Sequence, residues 1–97
     1  MLKKKWTFLS NHGHVLVYVA EHPQSTTQHI AEKARLSIRA VQEILGDLAE
    51  EGYLTRERVG RSNRYGINLD KPLRHHLEKN RNVSDLLQAL GIGVRGR

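Results

Sequence analysis

TTQHIAEKARLSIRAVQEILGDLAEEGYLTRERVGRSNRYGIN, residues 26–68, decides the fold. Within it, Val41, Ile44, Leu45 and Leu48 recur at i, i+3, i+4 and i+7, which places them on one face of a helix. Ser37 is a good cap for that helix and Gly52 supplies its stop, while Arg39, Gln42, Glu43 and Asp47 fall on its other faces. A shorter helix precedes it. Ser25 and Thr26 both offer an N-cap, and Ser25 with Gln28 has capping-box spacing. Ile30, Ala31 and Ala34 give this helix a small inner face; it ends near Arg35, with Leu36 plugging the turn into the core. After Gly52 the pattern becomes strand-like from Tyr53 to Val59. Gly60-Arg61-Ser62-Asn63 is a turn of hairpin length, and Tyr65, Ile67 and Leu69 alternate as a half-buried strand should.

Upstream, Val15, Leu16, Tyr18, Val19 and Ala20 form an apolar run to about Glu21. Many of these side chains are β-branched, so a strand competes on propensity. Ser10 or Asn11 as a cap, and His22-Pro23 as a stop, favour a helix. Downstream, Asp70-Lys71-Pro72 breaks the strand pattern, and Leu73 with Leu77 suggests a short helical turn. Val83, Leu86, Leu87 and Leu90 repeat the helical spacing behind Asn82 as a cap. The basic ends, about residues 1–5 and 91–97, are expected to be flexible.

With 97 residues, no internal repeat and no long linker, the chain reads as a single domain, 1–97. No apolar run approaches the roughly 20 residues of a spanning helix, so no membrane association is expected. No cleavable export signal follows the basic start, and the absence of cysteine fits a reducing, cytoplasmic setting. Net charge is +6, which favours a polyanionic partner.

Two helices joined by a tight turn and followed by an arginine-rich hairpin are the order of a winged helix–turn–helix domain: mainly α with a small β-wing, a three-helix core, an antiparallel hairpin and an extra C-terminal helix. The phrases TFLSNHGHVLVYVAEHP, IAEKARLSIRAVQEILGDL, EEGYLTRERVGRSNRYGIN and KPLRHHLE, spanning Thr7 to about Glu78, resemble small prokaryotic transcriptional regulators of the MarR/ArsR-like winged-helix group. The helix–turn–helix part is generic, while the wing phrase and PLRHHLE are more distinctive. One departure is Arg35, where many such turns carry glycine.

The resemblance implies duplex DNA as partner, with the third helix in the major groove. Ser37, Ile38, Arg39, Ala40, Gln42 and Glu43 would then face the bases. Arg39 suits guanine and Gln42 suits adenine, and Ser37 with the free N–H groups of the first turn suits a phosphate. Thr26, Thr27 and Gln28 are further phosphate candidates at the start of the second helix. On the wing, Arg56, Arg58, Arg61 and Arg64 outnumber the single acid Glu57, with Ser62 and Asn63 near the tip. Guanidinium groups bind phosphate and enter narrow minor grooves, although charge on a hairpin also serves to block edge-to-edge pairing. A homodimer is expected, through Trp6, Phe8 and Leu9 and through Val83, Leu86, Leu87 and Leu90. The alternative for the same apolar segments is packing on the chain's own core.

Other chemistries find less support. The six histidines, His12, His14, His22, His29, His75 and His76, lack thiolate companions, and the adjacent pair His75 and His76 should diverge on a helix. No metal or other cofactor is therefore expected. Gly91, Gly93 and Gly96 match a dinucleotide-binding expression without the strand and helix it requires. Asp47, Glu50 and Glu51 stand near a helix end with no nucleophile–base arrangement, so no enzyme is expected. A small-molecule effector is left open. Two other functions would use the same basic face: a winged-helix module for an acidic protein partner, and a binder of structured RNA.

Overall fold

The computed structural model describes residues 5–93; the expectations for the remaining basic ends lie outside the described residues. The order is α1 (Asn11–Glu21), α2 (Thr27–Ala34), α3 (Ile38–Glu50), β1 (Leu54–Val59), β2 (Ser62–Ile67) and α4 (Val83–Ala89). The first apolar run is a helix. Ser10 caps it by accepting from the Gly13 N–H at 3.2 Å, and Val15, Leu16, Val19 and Ala20 are buried on one side. Here cap and stop outweigh β-propensity, because one helical face supplies everything the core needs.

The three helices pack around Val15, Val19, Ile30, Val41 and Leu45, each fully buried. No polar or charged residue is buried among those described, so the core is held by apolar burial alone. Leu36 is half-buried against it, as the turn requires.

Both helix ends that shape the central unit are Schellman motifs. At the end of α2 the Leu36 N–H donates to Ala31 and the Arg35 N–H to Glu32. Arg35 occupies the left-handed position (φ 60°, ψ 46°), the place a glycine would fill more easily. At the end of α3 the Tyr53 N–H donates to Leu48 and the Gly52 N–H to Ala49, with Gly52 at φ 85°. That second motif turns the chain directly into β1.

The hairpin pairs Leu54 with Ile67 through to Val59 with Ser62. Its turn is shorter than the sequence suggested. Only Gly60 and Arg61 connect the strands, and Ser62 and Asn63 belong to β2. Gly60 has φ 61° and Arg61 has negative φ, the type II′ arrangement whose twist matches the strands. Leu69 lies beyond β2, half-buried.

Two further expectations are corrected. The α2 cap is Thr26, accepting from the His29 N–H at 3.0 Å, so the Ser25–Gln28 box does not form. No helix forms around Leu73 and Leu77. Residues 70–82 run as a loop closed by a bridge between Pro72 and Asn82, with the Leu73 N–H donating to the Arg81 carbonyl at 2.9 Å. The loop's base is held by the Tyr53 hydroxyl donating to the Pro72 carbonyl, and by Lys71 Nζ 5.6 Å from the Tyr53 ring centre. Beyond it, α4 opens with a reciprocal capping box between Asn82 and Asp85.

Candidate nucleic-acid interface

The capping of α3 sets the first part of the site. The Ser37 hydroxyl accepts from the Ala40 N–H at 3.0 Å, so one of the free donors at this helix start is already used inside the chain. Ile38, Arg39, Gln42 and Glu43 are exposed and Ala40 is half-buried. Ile38 keeps 46% of its surface exposed, unusual for a large apolar side chain in a first turn. With Val41, Ile44, Leu45 and Leu48 buried, the helical repeat puts Arg39, Glu43, Gly46 and Glu50 farthest from the core. This outward stripe begins with a cation and continues acidic.

The hairpin sets the second part. Side chains of paired residues share a face. Arg56 and Arg58 therefore share the face of Leu54, Asn63 and the buried Tyr65, while Arg64 stands opposite Glu57 on the reverse face. Arg61 is at the tip. The four arginines thus do not form the single basic face that their density in the sequence suggested. Arg58 is also bent back, its Nε donating to the Gly60 carbonyl at 3.2 Å. Among the described residues the one ion pair within 4 Å is His12 with Asp47, so Arg39 and the wing guanidinium groups have no carboxylate partner.

One hydrogen bond fixes the wing to the helical unit, and nothing in the sequence pattern announced it. The outer edge of β2 donates from the Tyr65 N–H to the carbonyl of Pro23, between α1 and α2, at 2.8 Å. Thr26, Thr27 and Gln28 follow in the next turn of chain, with Thr26 and Gln28 exposed and Thr27 half-buried.

The histidines are dispersed into local contacts. His12 Nε2 lies 2.8 Å from Asp47 Oδ2 and links α1 to α3, a contact the sequence did not foretell. His22 and His29 both follow Tyr18 in sequence and pack against its ring at 4.5 and 6.1 Å between centres. His75 and His76 stack at 4.5 Å rather than diverging, because they sit in a loop and not on a helix. Among the described residues no three His, Cys, Asp or Glu side chains gather as a metal site would need.

Of the apolar segments expected to meet a second chain, Val83 and Leu87 are buried in this chain's own core and cannot. Leu9 and Leu86 are half-buried, while Trp6, Phe8 and Leu90 are 64%, 93% and 48% exposed. Trp6 and Phe8 meet edge to face at 5.2 Å.

This arrangement of helices and hairpin recurs in solved structures. A mutant of Lactococcus lactis ZitR matches with 25% identity and TM-score 0.54, covering 70% of this chain and 48% of that one. ZitR from the same organism, described as a zinc-responsive MarR family member, matches with 24% identity and TM-score 0.52, covering 70% and 49%. Wild-type ZitR in complex with DNA matches with 24% identity and TM-score 0.54, covering 70% and 48%. The chain has the winged helix–turn–helix fold of MarR-type regulators. It spans about half the length of the ZitR chains it matches. No protein-family model and no curated protein sequence matches it.

Proposed function

We propose that this chain is the duplex-DNA-binding unit of a cytoplasmic transcriptional regulator, not an enzyme. In this reading α3 enters the major groove with Arg39 and Gln42 toward base edges. Ser37, Thr26, Thr27 and Gln28 lie along the sugar–phosphate backbone. Arg61 at the hairpin tip meets the adjacent strand or minor groove, flanked by Ser62 and Arg64 on one face and by Asn63 and Arg58 on the other. The observation that carries it is the set of guanidinium groups on α3 and the wing with no carboxylate partner among the described residues, on a fold whose neighbour ZitR has been solved with DNA.

The test is fluorescence anisotropy of a 30-mer duplex at several salt concentrations. Affinity should fall with log salt at about 0.9 per phosphate contacted, and Arg61→Ala or Arg64→Ala should each flatten that slope by about 0.9. No binding at low salt would remove the reading. The rival, an acidic protein docked on the same basic wing, rests on the same unpaired arginines and predicts no nucleic-acid phenotype for either variant.

A lone unit makes few contacts, and we propose that two copies associate through Trp6, Phe8, Leu86 and Leu90. The supporting observation is the exposure of Trp6 and Phe8. Light scattering should give twice the chain mass, and Phe8→Ser should give the single-chain mass; a wild-type monomer at high concentration would refute the proposal.

A further inference from the structure

The outward stripe of α3 contains a carboxylate that the fold does not use. Glu43 stands one turn after Arg39, in the i+4 position. An arginine placed before a glutamate is the weaker orientation for a helical ion pair, and no pair within 4 Å forms between them. Glu43 is exposed, makes no side-chain hydrogen bond among the described residues, and lies far from the buried stripe. Gly46, one turn on, adds no side chain beside it, and a Cβ built there meets nothing within 4 Å, so packing does not require that glycine. A free negative charge beside a polyanion weakens binding to every sequence, unless it accepts a hydrogen bond from a base.

We propose that Glu43 is a specificity-determining residue that accepts a hydrogen bond from the N4 amino group of a cytosine in the major groove. The proposal rests on the DNA-binding reading above and adds a base preference to it. Two bases present an amino donor in the major groove. Adenine sets its own N7 acceptor beside N6, whereas cytosine presents N4 with no acceptor of its own, so cytosine is the base a carboxylate matches. Arg39, which matches guanine O6 and N7, is about 6 Å away along the helix axis, at roughly 1.5 Å per residue. That distance corresponds to one or two base steps at about 3.4 Å each. The pair therefore reads a guanine and a cytosine that are neighbours or separated by one base. Bases presenting only acceptors at the Glu43 position are repelled, so the charge selects by exclusion as well as by contact.

The experiment first selects a preferred duplex from a randomised pool with the wild-type chain. Wild type, Glu43→Gln and Glu43→Ala are then titrated against that duplex, its single-base variants and a random duplex. Circular dichroism melting checks that the exposed substitutions leave the fold intact. Glu43→Gln should bind random duplex more tightly than wild type. Its ratio of preferred to random affinity should fall about tenfold or more, and its preference should relax at one cytosine. Tighter random binding with an unchanged ratio would overturn the proposal, reducing Glu43 to a repelling charge. Unchanged affinity for both duplexes would overturn it too, placing Glu43 outside the groove. In both cases the DNA-binding reading survives through the wild-type salt slope, whereas a wild type that binds no duplex would remove both.

Discussion

Gly46→Ala and Gly52→Ala are the same chemical change at two points of one helix, and the structure gives them opposite signs. Gly46 is inside α3 with negative φ, and an added Cβ has open space. The change gains the difference in helix propensity between alanine and glycine, about 0.8–1.0 kcal/mol. Gly52 is at φ 85° in the Schellman motif that launches β1. There an L side chain costs roughly 1–2 kcal/mol in the left-handed region, offset in part by about 0.4–1 kcal/mol from the stiffer unfolded chain. The nearest atom to its Cβ is the mobile Lys71 Nζ at 3.4 Å, so backbone strain dominates. Unfolding entropy of about 2.1 cal/mol/K per residue, over 97 residues, converts 1 kcal/mol to roughly 5 °C. Melting followed at 222 nm should therefore show Gly46→Ala about 4–5 °C above wild type and Gly52→Ala several degrees below. Two shifts of the same sign would refute the assignment of one glycine to a helix interior and the other to its left-handed end.

Arg35→Gly removes a left-handed arginine and should raise the melting temperature by a few degrees; a fall would mean that the Arg35 side chain contributes more than its backbone costs. Tyr53→Phe deletes the hydroxyl bond to Pro72 and should cost about 1 kcal/mol at neutral pH. Burial raises the Tyr53 pKa, with Arg74 opposing and Glu51 assisting. A phenol whose folded pKa is raised stabilises below its unfolded value near 10 and loses that contribution as pH climbs through the folded value. The gap between wild type and Tyr53→Phe should therefore close in alkaline denaturation series, and a gap that widened would refute the sign.

Much of this architecture is legible because it is local. The stripe from Val41 to Leu48, the Ser37 cap and the Gly52 stop each act within a few residues, and α3 follows from them. Leu73 and Leu77, four apart, imitate a helical turn; the Pro72–Asn82 bridge and the Tyr53 hydroxyl win there, and both join segments distant in sequence. Val83 and Leu87 were ambiguous for a related reason: periodicity identifies an apolar face and says nothing of what covers it. The arginine faces of the wing follow from register parity, which composition does not show. Counting Ser62 and Asn63 as strand, not turn, moves the pairing by two residues and leaves the faces unchanged; only a register change of one residue would bring Arg64 onto the face of Arg56 and Arg58.

The same geometry divides the wing into a fixed base and a free tip. Leu54 and Tyr65 are buried, and the Tyr65 N–H is tied to Pro23. Any swing of the hairpin base must break that bond and expose both side chains. Beyond this level, Arg58, Val59, Gly60, Arg61 and Ser62 are all exposed, held by the two-strand ladder and the Arg58 Nε bond to the Gly60 carbonyl. Few buried contacts and solvent-facing backbone bonds define a segment that opens at low cost. Arg61 at the tip can adapt its position to a phosphate, at an entropic cost on binding. Arg39 stands on a capped helix with four buried anchors, so its backbone is held in advance, as the proposed discrimination between base edges requires. In the proposed DNA-binding reading, specificity would belong to α3 and salt-dependent affinity to the wing tip, so substitutions in the two places should alter different columns of the same titration.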